Sequence, residues 1–549
     1  MCSLNPLSFP SPESLVVSDR QKSRTLAGIA GIVAVATLLS KLVALFRQQA
    51  IAAAFGTGIA ANAYNYAYIV PSFFLILLGG VNGPIHTTIV SILEKRSKQE
   101  AAPLVESITT LVSGVLLLVS IALFLSADGL IYLVGPQLSQ TAHAIAAEQL
   151  RIMSPMILLS GLIGIGFGTL NTANQYWLLS LSPVLSSITI ILGLGILYLS
   201  LGSQIISPAY VAIGGQVLAW GTLAGALFQW IVQLIVQWRL RLGTLRLRFD
   251  FRSPAVRQAV KLMAPAVFAS GMLQINLFTD FFFASSIPGA AAAFNYANLI
   301  VQTPLGIISN VILLPLFTIL SRLADPLEWH NLKSRLRQGL ILTALTMLPL
   351  GALFAALAMP IVRIVYERGA FQQDDSQLVA SILVAYGIGM FVYLGRDVLV
   401  RVFYALGDGE TPFRVGLLNI FLNALLDFIL IKPFGAPGIT LATVGVNTIS
   451  TLVFLGILHR KLHGLPLRQW SLPILGLIAS GFTAGIASWG TLWSLQHFFG
   501  SQGLVLLLLQ TIASGLVGIG IFALIATRMK LPEIDFLVAR LTKRGAGSQ

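Results

Sequence analysis

The sequence is poor in charged residues and in cysteine. Charged side chains make up 10% of its 549 residues, whereas hydrophobic side chains make up 56%. Soluble domains usually carry about 25% charged residues, so this composition excludes a set of soluble domains and predicts an all-α polytopic membrane protein. Its single cysteine, Cys2, excludes an intrachain disulfide framework.

The sequence also lacks the motifs of a catalytic site. His459 and His463 are four residues apart, but no glutamate follows the first histidine, as a zinc protease helix requires. The glycines Gly79, Gly80 and Gly83 lead into no Gly-Lys-Ser/Thr sequence, so there is no phosphate-binding P-loop. We therefore predict a protein that is not an enzyme and that uses neither ATP nor another nucleotide.

Long apolar runs are what the sequence contains. About 20 apolar residues cross a bilayer as a helix, and fourteen such spans are predicted. Six form a predicted N-lobe, at 27–53, 59–92, 104–135, 150–170, 182–200 and 206–236. Six form a predicted C-lobe, at 257–285, 290–321, 335–365, 378–405, 412–431 and 436–459, and two C-terminal spans follow at 471–497 and 502–527.

These spans divide the chain into segments. Residues 1–25 are rich in Ser and Pro and are predicted to be a disordered cytoplasmic tail without a cleaved signal. The N-lobe takes 26–237, a basic cytoplasmic linker takes 238–256, and the C-lobe takes 257–460. The last two spans take 461–530, and a second cytoplasmic tail takes 531–549.

The basic residues are concentrated on one side of the predicted membrane. With the N-terminus inside, 26 of the 34 Lys and Arg residues lie on the cytoplasmic side, in loops, in tails or at the cytoplasmic ends of spans. This distribution follows the positive-inside rule, and it predicts a multi-pass protein of the cell inner membrane with both termini in the cytoplasm. Because topology accounts for the basic excess, the net charge of +14 requires no nucleic-acid partner.

The two predicted lobes share a repeated motif. Ala63-Tyr64-Asn65-Tyr66-Ala67 recurs 230 residues later as Ala293-Phe294-Asn295-Tyr296-Ala297, and each copy opens the second span of its lobe. Six spans per lobe give both lobes the same orientation, as expected for parallel repeats around an axis normal to the membrane. Transporters built in this way bind substrate between the lobes.

Several stretches, in order along the chain, carry a family resemblance. They are Lys41 to Gly56, Leu170 to Asn174, Val260 to Ala266, and Phe403 to Asp408 followed by Thr411-Pro412. With the fourteen predicted spans, the chain resembles the MurJ (MviN) family of lipid II flippases. That family belongs to the superfamily of multidrug, oligosaccharidyl-lipid and polysaccharide exporters.

The resemblance implies a transport function. It implies a flippase that moves the undecaprenyl-linked peptidoglycan precursor, lipid II, from the cytoplasmic to the outer leaflet by alternating access, coupled to sodium or to the membrane potential. The implied partners are the lipid-linked substrate, membrane lipids and the cell-wall synthesis machinery.

The resemblance also implies a cavity lined by arginines. Lys41 and Arg47 stand where the family has two first-span arginines, the former as Lys in place of Arg. Asn62 stands where the family has a second-span acid, and Arg396 is a further candidate for this cavity. Lys41 and Arg47 have a simpler interpretation as side chains that snorkel or bind helix carbonyls. Asp397 and Arg401, four residues apart, predict an ion pair within one helix.

Besides Asn62, the chain lacks the family's charges at three further cavity positions. Leu75 and Leu299 stand where the family has arginines, and Gln302 stands where it has an acid. Fewer charges weaken a site for a polyanionic head group, so two alternatives stay open. One is an exporter of another lipid-linked oligosaccharide or of a small amphiphile, and the other is a non-transporting scaffold in envelope assembly.

A cation site is predicted in the C-lobe. Asp280 lies inside an apolar span, where an ionised carboxylate is costly without a partner. Asn423 and Asp427 are four residues apart and share one helix face, and with Thr443 they form an oxygen-rich set suited to a hard cation. The resemblance implies that this cation is sodium, with a backbone carbonyl near Ile439. The alternatives are protonated or mutually paired carboxylates and proton coupling.

Two prolines lie near the middle of their spans. Pro71 in span two and Pro304 in span eight are predicted hinges, because proline frees backbone groups within a helix. The alternative is a fixed kink at each position.

Overall fold

A computed structural model of the chain describes residues 12–80, 83–94, 96–243, 245–272, 274–323, 325–500 and 503–533. Within these residues the chain forms twenty α-helices joined by short loops and three short 3-10 turns. An all-helical polytopic membrane fold is therefore confirmed.

The first half of the chain contains ten helices. They are α1 (Pro12–Phe55), α2 (Ile59–Leu77), α3 (Pro84–Leu93), α4 (Lys98–Leu125), α5 (Ala127–Val134), α6 (Gln140–Met153), α7 (Met156–Thr172), α8 (Tyr176–Leu181), α9 (Val184–Leu201) and α10 (Val211–Arg239).

The second half contains the other ten. They are α11 (Pro254–Met272), α12 (Ile275–Ala284), α13 (Ala290–Arg322), α14 (Trp329–Ala356), α15 (Ala358–Tyr366), α16 (Gln373–Ala405), α17 (Glu410–Phe434), α18 (Ala436–Lys461), α19 (Leu467–Phe499) and α20 (Leu504–Arg528).

Ten helical segments of the described chain are long and apolar enough to cross a membrane, or eleven if α6 and α7, which meet at 43°, form one span. The other three predicted spans coincide with the pairs α2/α3 and α11/α12 and with α13. Helices therefore occupy all fourteen predicted positions, but the count of fourteen spans stays a prediction.

The structure divides some spans that the sequence predicts to be continuous. Span two is divided between Leu77 and Pro84, where glycines and a helix-starting proline follow one another. The end of α2 also packs closely on α7, since a methyl group at Gly164 would collide with the carbonyl oxygen of Leu78. Span seven is divided between Met272 and Ile275.

One further sequence expectation differs from the structure. Helix α1 begins at Pro12, so residues 12–25 of the predicted disordered tail are helical, and the sequence from 13 to 27 contains no proline or glycine to break the helix. Residues 1–11 lie outside the described part. Helices α2 and α13 run on through Pro71 and Pro304, so the chain breaks lie elsewhere, and a hinge role for these prolines stays a prediction.

The most extensive helix contacts join helices of the same half, such as α9 with α10 and α14 with α16. The last two long helices, α19 and α20, pack on each other, and α19 also packs on α14. Fewer contacts cross between the halves, chiefly α3 with α11 and α2 with α13. The site described next lies where the halves meet.

Asp408 closes the turn between α16 and α17. It accepts hydrogen bonds from the Lys461 ammonium group at 2.6 Å and from the Thr411 backbone N–H at 3.0 Å and hydroxyl at 2.8 Å. Burial by itself raises the pKa of Asp408, but these donors outweigh it and lower the pKa to about 2. The carboxylate therefore joins the start of α17 to the end of α18.

Candidate functional site

Two carboxylates meet in the second half of the chain. Asp280 on α12 and Asp427 on α17 are bridged by the side-chain amide of Asn423, which donates to Asp280 Oδ1 at 2.7 Å and to Asp427 Oδ2 at 2.9 Å. Asn423 and Asp427 are one helical turn apart, so α17 presents both to α12. The structure thus brings together three of the four residues of the predicted cation site.

The carboxylates of this cluster are only partly satisfied by hydrogen bonds. Asp427 is fully buried, at 0% exposure, and its Oδ1 has no hydrogen-bond partner among the described residues. A buried carboxylate oxygen without a partner is costly. An unpaired oxygen beside a second carboxylate can bind a proton or a cation.

Thr443, the fourth predicted residue, lies across a cavity from Asp280. This cavity has a volume of about 360 Å³ and is lined by both residues and by Ile439, whose carbonyl oxygen accepts a hydrogen bond from the Thr443 hydroxyl at 3.3 Å. No cluster of three or more His, Cys, Asp or Glu side chains occurs in the described ranges. The candidate set therefore combines two carboxylates with amide, hydroxyl and carbonyl oxygens.

The same cavity contains a contact between the two copies of the repeat. Asn65 on α2 and Asn295 on α13 both line it, and the Asn295 amide donates to Asn65 Oδ1 at 2.6 Å. The two residues occupy equivalent positions, 230 residues apart. Equivalent residues that touch each other lie close to the axis that relates the two halves.

The neighbouring repeat tyrosines also cross between the halves. The Tyr66 hydroxyl donates to the carbonyl oxygen of Phe281 at 3.1 Å, and the Tyr296 hydroxyl donates to the carbonyl oxygen of Gly56 at 2.9 Å. Both rings are almost fully buried. Each tyrosine thus binds the end of the first span of the opposite half, and Phe281 directly follows Asp280 in α12.

Further cross-half contacts close the same end of the bundle. Asn62, a predicted cavity residue, is buried and accepts a hydrogen bond from the backbone N–H of Ala291 at 3.1 Å, so it caps the start of α13. Asp375 at the start of α16 accepts hydrogen bonds from the backbone N–H of Thr57, at 3.1 Å, and from its hydroxyl. We call the contacts of Asn62, Asn65, Tyr66, Tyr296 and Asp375 the polar seam.

Lys41 and Arg396 belong to opposite halves and lie near the same cavity. A methyl group at Gly306 of α13 would lie 3.4 Å from Lys41 Nζ, and Gly306 and Arg396 line one cavity of about 260 Å³. Arg396 Nη1 lies 3.8 Å from Asp397 Oδ1, and Arg396 Nε has no partner in the part of the chain that is described. Two cations thus lie near one polar cavity.

Arg47 lies apart from this pair. Its guanidinium is near Tyr64 and Tyr68 of α2, and its Nε is buried without a hydrogen-bond partner among the described residues. Lys41 and Arg47 are separated by about 240° around a regular helix, so their side chains serve different places.

The predicted ion pair in α16 differs in the structure. Asp397 forms an ion pair with Arg396, whereas the Arg401 guanidinium lies over the ring of Phe317, 5.6 Å from its centroid. An aromatic face on α13 competes for the cation, which spacing along one helix does not reveal.

Sequence reasoning missed the polar seam. It also missed Tyr393 of α16, whose hydroxyl is buried without a hydrogen-bond partner among the described residues. The signal was present, because an asparagine recurs at the same place in two apolar spans and a buried amide needs a partner. Helical periodicity shows which face a residue occupies, but it does not show that the two copies face each other.

Comparisons with known proteins agree on one family. The family model described as "Lipid II flippase MurJ" matches residues 51–513. A "Probable lipid II flippase MurJ" from Synechocystis sp. is 53% identical over 526 residues, which cover 95% of this chain and 98% of that protein. A "Lipid II flippase MurJ" from Burkholderia cenocepacia is 27% identical over 469 residues, covering 82% and 88%.

Solved structures show the same fold. A lipid II flippase MurJ in an inward closed conformation matches with a TM-score of 0.72 and 22% identity, covering 90% of this chain and 98% of that one. An inward-facing multidrug transporter of the MATE family, from the MOP superfamily, matches with a TM-score of 0.60 and 14% identity, covering 78% and 98%. At these identities the likeness concerns the fold alone.

Proposed function

The chain belongs to the MurJ family, and we propose that it is a transporter that moves lipid II from the cytoplasmic to the outer leaflet of the inner membrane. The observation that carries this proposal is the 53% identity, over 95% of the chain, to a probable lipid II flippase. Such a transporter moves its substrate without breaking a covalent bond, so the chain acts as a carrier and not as an enzyme.

Transport proceeds by alternating access of a cavity between the two halves. Under the predicted topology, α1 begins in the cytoplasm and ends at the outer face. The polar seam, which includes the bonds from Asp375 to Thr57 and from Tyr296 to Gly56, therefore closes the outer end. Opening of the outer face requires these hydrogen bonds to break, and each contributes only about 1 kcal/mol.

Coupling to sodium is proposed at the carboxylate cluster. Asp280, Asp427 and Thr443 fit a hard cation, because Asp427 Oδ1 is buried without a partner and all the available donor atoms are oxygens. Asn423 now turns its NH₂ group towards both carboxylates, so a half-turn of the amide presents its oxygen instead. A bound sodium ion would supply one positive charge between the two carboxylates.

Helix α12 provides a route from this cluster to the outer gate. Asp280 lies on its face towards α17, while the next residue, Phe281, accepts the hydrogen bond of Tyr66 from the first half. A shift of α12 towards or away from Asp427 therefore changes the contact with Tyr66 directly. The membrane potential acts on the same charges.

Depletion of the protein in its own host tests the proposal. Lipid-linked precursors are extracted and identified as the protein is lost. Lipid II is expected to accumulate while cell-wall synthesis fails, and the cell-wall synthesis machinery is the expected partner that supplies and uses it. Unchanged lipid II would contradict the proposal.

A second candidate is export of another lipid-linked oligosaccharide. The observation that favours it is that Leu75 and Leu299 are apolar, which leaves fewer cations for a diphosphate. In the same experiment, this candidate predicts normal lipid II and a build-up of a different carrier-linked sugar.

A further inference from the structure

A second cavity, lined by α13, α16 and α18, contains polar groups that the fold leaves unsatisfied. Its volume is about 260 Å³, and its polar lining includes Gln302, Tyr393, Arg396 and Asn447. The Tyr393 hydroxyl and Arg396 Nε are buried and have no hydrogen-bond partner among the described residues. Buried donors are normally satisfied, so these two point to a ligand that accepts hydrogen bonds.

Arg396 keeps one edge of its guanidinium available. Asp397 lies 3.8 Å from Nη1, and the Nε–H bond, which points to the other side of the group, is unpaired. The edge formed by Nε and Nη2 matches the two oxygens of a carboxylate or a phosphate. Asp397 therefore orients the guanidinium without occupying its binding edge.

The charges near the cavity favour a ligand with a single negative charge. Arg396 and Asp397 line the cavity and neutralise one another, and Lys41 Nζ, close to Gly306, adds one positive charge. Farther from the cavity, Arg401 acts on Asp397 and Asp280 acts on Tyr393, and these two charges are opposite in sign. A diphosphate carries at least two negative charges and would lie beside the Asp397 carboxylate, which repels it. A carboxylate matches the net charge of +1.

A lipid-linked peptidoglycan precursor carries two kinds of anion, its diphosphate and the carboxylates of its peptide. We propose that Arg396 and Tyr393 bind one peptide carboxylate of the transported precursor, with Lys41 completing the site from the other half. This proposal rests on the proposed function. Because Lys41 and Arg396 belong to different halves, the site is complete only while the halves are arranged as in this structure.

Binding measurements on the full chain in lipid nanodiscs test the assignment. The probes are lipid II and lipid II whose peptide carboxylates have been converted to amides. The variants are Arg396→Met, Arg396→Lys and Tyr393→Phe, with Arg414→Met, at an exposed ion pair with Glu410, as the matched control. Melting curves verify that each variant is folded, and Tyr393→Phe keeps the ring in place.

In the wild type and in Arg414→Met, amidation is expected to weaken binding about tenfold, the usual effect of losing one charge-assisted hydrogen-bonded contact. Arg396→Met is expected to bind lipid II about tenfold more weakly and to show no further loss on amidation. For Arg396→Lys and Tyr393→Phe, both the loss of affinity for lipid II and the effect of amidation are expected to lie between those of the wild type and those of Arg396→Met.

Three outcomes would overturn the proposal. If Arg396→Met weakens the binding of lipid II and of amidated lipid II equally, the arginine would be assigned to the diphosphate. An amidation effect that is unchanged in Arg396→Met would place the carboxylate elsewhere. Failure of the wild type to bind either probe would remove the proposed function itself, and the carboxylate site with it.

Discussion

At the scale of single residues, the apolar bundle contains a few ionisable side chains, and some of their polar atoms are buried without a hydrogen-bond partner among the described residues. Asp427 is the extreme case, since it is fully buried and has one oxygen unpaired. Such a group is costly in the absence of a counter-charge or a proton. A ligand that supplies the charge should therefore stabilise the folded state.

Replacing Asp427 with asparagine should abolish stabilisation by sodium. A cation that binds only the folded protein at about 100 times its dissociation constant adds about 2.7 kcal/mol, so sodium in place of potassium should raise the wild-type melting temperature by a few degrees. Asp427→Asn should show no rise, while Asp374→Asn, at an exposed position on α16, should respond like the wild type. A sodium effect that survives in Asp427→Asn would move the cation site elsewhere.

Asp408 leads to a prediction about acid stability. Its folded pKa of about 2 is below its ordinary value of 3.8. The depressed pKa adds stability above pH 4, and this stability is lost as the pH falls from about 4 through about 2. Asp408→Asn should therefore melt at a lower temperature than the wild type at pH 6, and the gap should narrow as the pH approaches 3.

The Lys461→Met variant removes the partner of Asp408. The difference in melting temperature between the wild type and this variant should therefore also narrow as the pH approaches 3. A gap between wild type and Asp408→Asn that does not change with pH would show that the carboxylate charge has no part in the stabilisation.

At the scale of helices, the contacts between the halves include hydrogen bonds that a substitution can remove by deleting one hydroxyl group. Tyr66 and Tyr296 each donate to a backbone carbonyl of the opposite half. Tyr66→Phe and Tyr296→Phe should each weaken the closed outer end by about 1 kcal/mol, because each removes one hydrogen bond between the halves. The Phe281 carbonyl keeps its hydrogen bond from the backbone N–H of Ser285. Backbone hydrogen exchange near 281–291 and 53–58 should accelerate about fivefold.

Tyr64→Phe is the matched control for these two variants. The Tyr64 hydroxyl bonds to the Thr222 hydroxyl at 2.8 Å, within the first half. This variant should lower overall stability by a similar amount and leave exchange at the seam unchanged. Equal acceleration in all three variants would mean that the seam has no special role in closure.

The sequence predicts where helices lie far better than where they break. Apolar runs mark a helix at each of the fourteen predicted spans, because the bilayer demands length and hydrophobicity, but they do not mark the polar start of α1. The breaks depend on close packing, as between Gly164 and Leu78, which a one-dimensional pattern does not contain. For the same reason, the grouping of Asn423 with Asp427 could be read from their spacing, whereas the contacts of Arg401 and Asn65 could not.

At the scale of the whole molecule, the distribution of basic residues predicts that both termini are cytoplasmic. The single cysteine makes this testable, because a membrane-impermeant maleimide can react only at Cys2. Cys2 should be labelled in inverted vesicles and protected in intact cells. In a Cys2→Ser background, Asp374→Cys, at an exposed position in the first turn of α16, should show the reverse pattern. Labelling of both positions from the same side would contradict the predicted topology.

The hydrogen bond between Asn65 and Asn295 has an evolutionary consequence. If one six-span gene was duplicated to make this chain, its product was a two-fold symmetric homodimer, and residues on the axis met their own copies. One codon then specified both partners of this contact, and asparagine suits it because its amide both donates and accepts. Duplication and fusion freed the two positions to diverge, yet the ancestral self-contact persists between α2 and α13.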